Sequence, residues 1–442
     1  MNFVHASDFH LGYMQYGLSE RFKDFARAFD RVVDYTIRSD AEFLLIAGDL
    51  FHKRNINAPT YMQAFKILTK LADRGIPVYA IEGNHDLAYH RDVNSWMQIL
   101  DAQGMLRLIR IKPMEQMEQI GQMGQHEIKL MGDFVDINGV RIFGVKYLGS
   151  QTRNRIPEIA EELKVINDLC GMPDYTILMM HFGMEGVVSA SGIGELSYNS
   201  LVPLRDTVDY LALGHYHIQY DRDGWIFNGG SCETVSMSEY RKPKGFYHVV
   251  DGKPSFQKAA PRHIERFGID TSGIRSLHDL YSTVRSALGG AARRDGDTKP
   301  LVDISLHGDL RFPRTDISVE KIKEIVSEHL DPLWVNIKII DTKDPAGIVD
   351  DRDISRAEIE RSVIEEMVKN TQYRRHLTDV TDMVIEAKQL AVSKTDPQII
   401  LEHLQNSYSV VKSENKEQTD LPFGMGGRGG RGGRDGGGAN VD

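Results

Sequence analysis

Five short apolar runs in the first half of the chain each end in residues of metal-ligand type. Asn2–Ser7 leads into Asp8-Phe9-His10, and Phe43–Ala47 into Gly48-Asp49. Val78–Ile81 precedes Gly83-Asn84-His85-Asp86, Tyr175–Met180 precedes His181, and Tyr210–Leu213 precedes Gly214-His215-Tyr216-His217. Taken singly, each of these residues fits a core, surface or helix-capping position. Their recurrence after five separate runs points instead to one shared site. The donors are carboxylates, an amide oxygen and imidazoles, a mixture that suits Mn²⁺, Fe²⁺ or Zn²⁺ better than an all-oxygen Ca²⁺ cage. They are too many for one open catalytic ion and enough for two ions sharing a carboxylate. Such a pair holds a nucleophilic hydroxide and clamps a phosphate during in-line displacement.

The elements that must bring these groups together are legible as well. Between the early apolar runs lie amphipathic stretches at Phe22–Ile37 and Pro59–Asp73. That alternation predicts βαβ units and a sheet buried on both faces. Open α/β sheets bind ligands beyond the carboxyl ends of their strands, which is where every ligand-type residue falls. Residues i and i+2 of a strand share a face, so Asp8 with His10, and His215 with His217, are expected to converge as strand residues. Glycines ahead of Asp49, Asn84 and His215 permit tight turns and close backbone approach. Asn138-Gly139 predicts a type I′ hairpin turn.

Further along, Arg262–Asp270, Leu301–Leu306 and Leu333–Ile340 read as strands, and Ser276–Leu288 and Val319–His329 as helices, giving a small α/β domain. From about Ser355 the chain turns helical and amphipathic, with Ile359, Val363, Ile364 and Met367 on one face. Thr378–Val392 and Pro397–Val411 read as two further helices. The ending from Gly424 is glycine-rich with interspersed Arg428, Arg431 and Arg434, a composition that buries no apolar surface and predicts disorder. Pro113–Gln125, rich in Met and Gln, reads as an irregular insertion.

Composition bounds the rest. With 442 residues there is ample chain for a large core, and two cysteines, Cys170 and Cys232, are too few for a disulfide framework or a thiolate zinc site. The net charge of −10 excludes binding to a polyanion through bulk positive charge, leaving local patches or bound cations. The N-terminus lacks the features of a signal peptide, and no stretch of roughly 18 apolar residues spans a bilayer. The expectation is a soluble, intracellular protein.

With those residues laid out, the pattern resembles the calcineurin-like metallophosphoesterase superfamily: Asp-x-His, Gly-Asp, Gly-Asn-His-Asp, His and Gly-His-x-His occur in that family's order. Within it the chain is similar to the Mre-eleven/SbcD type of DNA double-strand-break repair nuclease. The residues that carry this likeness are Phe3-Val4-His5-Ala6-Ser7-Asp8-Phe9-His10-Leu11-Gly12 and Gly48-Asp49-Leu50-Phe51-His52. The resemblance implies a four-layer αββα sandwich over 1–260 and a small α/β capping domain over 261–345. It further implies a helical segment over 346–415 that binds an ATPase partner, followed by an Arg-Gly-rich tail over 416–442. It implies two Mn²⁺ per subunit, with Fe²⁺ or Zn²⁺ as alternatives. One ion would take Asp8, His10, Asp49 and His217, and the other Asp49, Asn84, His181 and His215. His85 would orient the phosphate and protonate the leaving oxygen, with His52 helping to place it; a histidine poised near neutrality suits that proton transfer.

The same likeness implies 3′-to-5′ exonuclease and single-strand endonuclease activity, a Rad-fifty-type ABC ATPase partner, and a homodimer within a heterotetramer. Tyr61–Leu71 and Ser95–Leu100 are the candidate dimer helices. A prokaryotic cytoplasmic location at the nucleoid follows as an expectation. Leu50-Phe51-His52-Lys53-Arg54 after Asp49, and Asp86 closing the later block, depart from the protein phosphatases of the superfamily. A two-metal phosphodiesterase for small or cyclic-nucleotide diesters remains the alternative. Lys53, Arg54, Arg241, Lys242 and Lys244 flank the site segments and are the candidate DNA contacts. Ile359, Val363, Ile364 and Met367 are the candidate partner-binding face. Asp86 is read either as a group orienting His85 or as a helix cap, and His5 and His90 as core or surface residues.

Overall fold

The computed structural model describes residues 1–89, 93–110, 134–187, 195–290, 298–340 and 373–392, with a few positions around the last of these. It divides into two compact units, Met1–Asp353 and Ile354–Asp442.

In the first unit, alternation along each strand decides which layer a side chain joins. The opening strand β1 (Asn2–Ala6) sends Phe3 one way and Val4 and Ala6 the other. It pairs in parallel with β2 (Phe43–Ala47), which pairs with β3 (Val78–Ile81) and then β4 (Arg107–Leu108). A second sheet contains β5 (Val135–Ile137), β6 (Val140–Gly144), β7 (Tyr175–His181), β8 (Tyr210–Gly214), β9 (Tyr220–Arg222) and β10 (Ile226–Asn228), in the order β5-β6-β7-β8-β10-β9. The chain then returns to the first sheet, where β11 (Gly245–Val250) and β12 (Lys253–Lys258) extend it antiparallel beyond β1. Asn138 and Gly139, with φ of 49° and 79°, make the I′-type turn between β5 and β6.

Two six-stranded sheets thus lie face to face where the periodicity alone reads one. Phe3, Phe43, Leu45 and Ile81 meet Ile142, Ile177, Met179, Tyr210 and Phe227 between them. On the outer side of the first sheet, Val4, Leu44 and Ile46 pack against α1 (Ser19–Arg38) and α2 (Ala58–Ala72). On the outer side of the second, Phe143, Leu178, Met180 and Leu213 pack against α4 (Thr152–Cys170), which follows α3 (Trp96–Ala102) in the chain. Each large apolar side chain so buried contributes about 1.5–3 kcal/mol, which makes this αββα stack a stiff platform for loops. His5 belongs to the core, donating through Nε2 to the Leu213 carbonyl at 3.1 Å and paired through Nδ1 with the Tyr210 hydroxyl at 3.0 Å. Among the described residues no helix is long and apolar enough to cross a membrane.

A parallel three-stranded sheet, β13 (Ile264–Asp270), β14 (Leu301–His307) and β15 (Trp334–Ile340), carries α5 (Leu277–Leu288) and α6 (Val319–Leu330) and forms its own apolar cluster. A buried charge network ties it to the sandwich. Arg262 grips Asp24 of α1 through Nε at 2.5 Å and a terminal nitrogen at 2.8 Å, and its backbone N–H donates to Glu233. Arg21, fully buried, joins Asp24, Glu233 and Gln15. Tyr16 stacks on Trp334 with ring centroids 3.6 Å apart.

In the second unit, Val368 and Val380 are buried against Ile364, Leu377 and Met383, with α7 (Leu377–Val392) as the main element. Ile364, of the expected partner-binding face, is partly buried against this cluster. Met367 is 66% exposed. Ile359, Val363, His90, the 113–125 stretch, most of 397–411 and the tail lie outside the described residues.

Asp24→Ala removes the carboxylate shared by two buried guanidinium groups. The expected cost is about 3–5 kcal/mol, read as a fall in the urea midpoint. A change under about 1 kcal/mol would mean the network contributes nothing to folding.

Candidate metal centre

All five candidate-ligand segments, four loops and the end of β7, meet at one end of the paired sheets, laced by backbone hydrogen bonds. The Asp8 N–H donates to the Gly48 carbonyl at 3.1 Å, that of His10 to Asp49 at 3.1 Å, and that of Leu11 to Leu50 at 2.9 Å. The His215 N–H donates to the Asp8 carboxylate at 3.1 Å, joining the loop after β8 to that after β1. Strand alternation is not what aligns the paired ligands. β1 ends at Ala6 and β8 at Gly214, and the ligand residues turn through left-handed conformations, with φ of 54° at Asp8, 48° at His10, 53° at Asp49 and 100° at His215. Each such non-glycine position costs of order 1–3 kcal/mol and persists because its surroundings impose it.

Close packing explains two of the adjoining glycines. A Cβ on Gly83 would overlap the Asp49 carboxylate, and one on Gly214 would overlap the Ala47 carbonyl. Gly48 combines a φ of 89° with the ring of His181 standing where a Cβ would lie.

The donor atoms fall into overlapping groups: Asp8, His10 and His217; Asp8, Asp49 and His181; and His10, His52 and His85. Within each, they lie no more than 4.8 Å apart. The Asn84 Oδ1 is 3.2 Å from Nε2 of His181 and 3.0 Å from Nδ1 of His215. Proton accounting tests whether cations fit. His181 donates Nδ1–H to the Ala47 carbonyl at 2.8 Å, so in the neutral ring the Nε2 lone pair faces both Asn84 Oδ1 and, at 3.3 Å, Asp49 Oδ2. His217 donates Nδ1–H to Glu239 at 2.8 Å, and its Nε2 faces Nε2 of His10 at 2.9 Å. Nδ1 of His10 is buried without a partner. In these neutral tautomers lone pairs and carboxylates face one another, an arrangement that divalent cations would satisfy.

The electrostatics agree. Burial opposes ionisation of Asp49, yet His181 beside it holds the carboxyl well below the usual range. Burial likewise disfavours charge on His181, but Asp49 overcomes it and raises the ring to about 9. Burial raises Asp8, lowers His10, and with His181 lowers His215 to about 3. The last two rings are thus kept neutral, the form that binds metal.

His85 and His52 stand at the edge of this cluster. The His85 N–H donates to Asp49 Oδ1 at 2.9 Å, and its Nδ1–H donates to the His52 carbonyl at 2.6 Å. Its ring lies 5.0 Å from that of His10, edge to face. His52 stacks on Tyr13 at 3.8 Å, and burial and His85 lower it to about 4. A cavity of about 450 Å³ opens beside His52, lined by Leu11, Tyr13, Lys53, Asn55 and Thr60 among others. Asp86 neither orients the His85 ring nor caps a helix. Its carboxylate accepts N–H bonds from Leu50, Phe51 and Gly83, stapling the loops after β2 and β3.

The basic candidates divide. Lys53, Arg241 and Lys242 are exposed, and Arg54 is half-buried with Nε donating to the Asn84 carbonyl at 3.3 Å. Lys244 does not face solvent. It is 4% exposed and donates to the His217 carbonyl at 2.8 Å, to Ser231 Oγ at 2.9 Å and to Glu239. Expecting it to touch DNA is corrected here: a lysine in a basic run reads as surface, but β11 begins at Gly245 and draws this one inward. Glu239 itself carried no motif, being 22 residues beyond His217 in a connecting turn.

Residues 1–219 match the family model described as calcineurin-like phosphoesterase. Together with the sandwich and the ligand cluster, this defines a calcineurin-like metallophosphoesterase domain, a metal-dependent phosphodiester hydrolase of a family that works with two metal ions. Among curated proteins, the chain is similar to three named DNA double-strand break repair protein Mre11. It is 27% identical to that of Archaeoglobus fulgidus, with 74% of this chain and 76% of that protein aligned. The figures are 30%, 56% and 62% for Methanococcus maripaludis, and 27%, 64% and 57% for Haloferax volcanii. The chain thus spans less than two thirds of the latter two proteins.

Gly83→Ala places a methyl against the carboxylate and backbone nitrogen of Asp49, just beyond the end of β2. We expect an unchanged circular dichroism spectrum and at least a tenfold weaker Mn²⁺ affinity by calorimetry, on the scale of about 10–100-fold for perturbed ligand support. Wild-type affinity would show that Asp49 is not a ligand.

Proposed function

We propose that this protein is a Mn²⁺-dependent DNA nuclease that processes broken duplex ends, acting as a 3′-to-5′ exonuclease and a single-strand endonuclease. The observation that carries this reading is the convergence of Asp8, His10, Asp49, Asn84, His181, His215 and His217 on one buried cluster, with His52 and His85 at its edge. The relatives' name, double-strand break repair protein, supports DNA as the substrate.

In this reading one cation takes Asp8, His10, Asp49 and His217, and the other Asp49, Asn84, His181 and His215. When bound, the pair supplies an activated hydroxide and a clamp on the scissile phosphate. The chain's own residues do the rest. Asp49 lies between the two ligand sets, and its backbone-bonded carboxylate keeps His85 close. Because His85 spends Nδ1–H on the His52 carbonyl, Nε2 is its free nitrogen, so the ring gives a proton to a leaving oxygen only as imidazolium. His52 and Tyr13, stacked at the rim of the adjoining cavity, position the neighbouring phosphate and sugar. Lys53, Arg241 and Lys242 offer exposed charge for backbone phosphates.

The small parallel sheet caps the site, and the second unit binds a Rad-fifty-type ABC ATPase. A homodimer forms through α2 and α3, where Tyr61 and Trp96 lie 5.6 Å apart and Met62 is exposed.

Cleavage of an end-labelled linear duplex in Mn²⁺ tests the reading. Wild type should degrade it, and EDTA should stop the reaction. His85→Ser should lose about 10²–10⁴-fold in rate while retaining Mn²⁺, and Asp49→Ala should lose both rate and metal. Hydrolysis of bis-p-nitrophenyl phosphate without any DNA cleavage would favour the small-diester enzyme and overturn the nuclease.

A further inference from the structure

An imidazole that ligates a metal through one nitrogen needs a partner for the other, and the partner's charge tunes the ligand. His181 uses a neutral partner, the Ala47 carbonyl. His217 uses a carboxylate: Nδ1–H donates to Glu239 Oε1 at 2.8 Å. Glu239 ends the short turn Met237–Glu239 and is 7% exposed. Its second oxygen accepts from the Val235 N–H at 3.0 Å and from Lys244 Nζ. Lys244 also donates to the backbone carbonyl of His217 and to Ser231. The ring and the main chain of His217 are therefore held by one buried Glu–Lys pair. Such a pair adds little to folding over apolar residues of the same shape, so stability alone gives weak reason for it.

We propose that Glu239 is a positioning residue that fixes the Nδ1–H tautomer of His217 and makes the cation position formed by Asp8, His10, Asp49 and His217 the tighter of the two. This rests on the two-metal reading of the site. Charge counting gives the direction. That position is served by Asp8 and the shared Asp49, with Glu239 one ring further out, its charge partly offset by Lys244. The other is served by Asp49 together with the neutral Asn84, His181 and His215. The anionic partner raises the basicity of His217 as a ligand and prepays its orientation, so this position fills first as Mn²⁺ is added.

The test is Mn²⁺ titration of the metal-stripped full chain by calorimetry, with bound metal counted by mass spectrometry after desalting. Wild type should bind two ions with unequal affinities. Glu239→Gln keeps an acceptor but removes the charge, and should weaken the tighter step about 10–100-fold while leaving the weaker one unchanged. Glu239→Gln combined with Lys244→Met removes both buried charges and should show the same selective loss, separating it from misfolding caused by an unpaired lysine. Ser231→Ala removes a hydroxyl that bonds Lys244 and leaves the Ser231 N–H bond to the His217 carbonyl in place, and should keep the tight step; melting of each metal-free variant reports its folding. A tight step surviving in the folded double variant, or an equal loss at both steps, would overturn the proposal. Failure of wild type to bind two ions would instead overturn the two-metal reading beneath it.

Discussion

The Asp49 carboxylate is the point on which the site's geometry depends. Buried at the end of β2, it lies 3.3 Å from Nε2 of His181 on the opposite sheet and accepts the N–H of His85 from the loop after β3. A carboxylate so placed is tolerable only when surrounding charge compensates its desolvation. That requirement shapes its neighbours. Gly83 can carry no side chain, Asp86 pins the adjoining N–H groups, and His181 is held by Ala47 with its ring facing the anion. The sandwich exists around this as a rigid frame, bringing loops from two sheets within bonding distance of one buried charge.

Strain and rigidity are balanced in the same place. Four of the candidate ligands occupy left-handed backbone conformations, which a loosely packed loop would abandon. They are held by hydrogen bonds between loops, such as Asp8 N–H to Gly48 and His10 N–H to Asp49, and by a fully buried inter-sheet core beneath them. The donor atoms are thus oriented before any cation arrives, so little ordering cost falls on binding. Around this rigid centre the less constrained parts gather: the His52–Tyr13 rim, the exposed lysine and arginine side chains, and the small parallel sheet tethered through Arg262.

That tether and the metal centre share a connecting segment. Glu233, which accepts from Arg21 and Arg262, and Glu239, which holds His217, lie six residues apart between β10 and β11. One part of this segment anchors the small parallel sheet through Arg262, and another holds the ring of His217.

Much of the centre was readable from residue order, because ligand chemistry is carried by residue type and the strands before the ligands are apolar enough to recognise. The ends of β2 and β3, the Asn138-Gly139 turn and the three strands of the small sheet follow from local pattern in the same way. Other features depend on contacts between segments distant in sequence, and local pattern holds no trace of them. Division into two sheets is one, since a strand buried on both faces reads alike whether a helix or another sheet covers it. The convergence of Asp8 with His10 is another: it arises from left-handed turns imposed by the neighbouring loop and not from strand alternation. Lys244 and Glu239 show the limit most clearly. A lysine in the basic run Arg241-Lys242-Pro243-Lys244 and a glutamate in a turn both look solvent-facing, and only the return of β11 beside β1 buries them behind His217. Residue type determined which chemistry is available, and the packing of the two sheets decided which groups hold it in place.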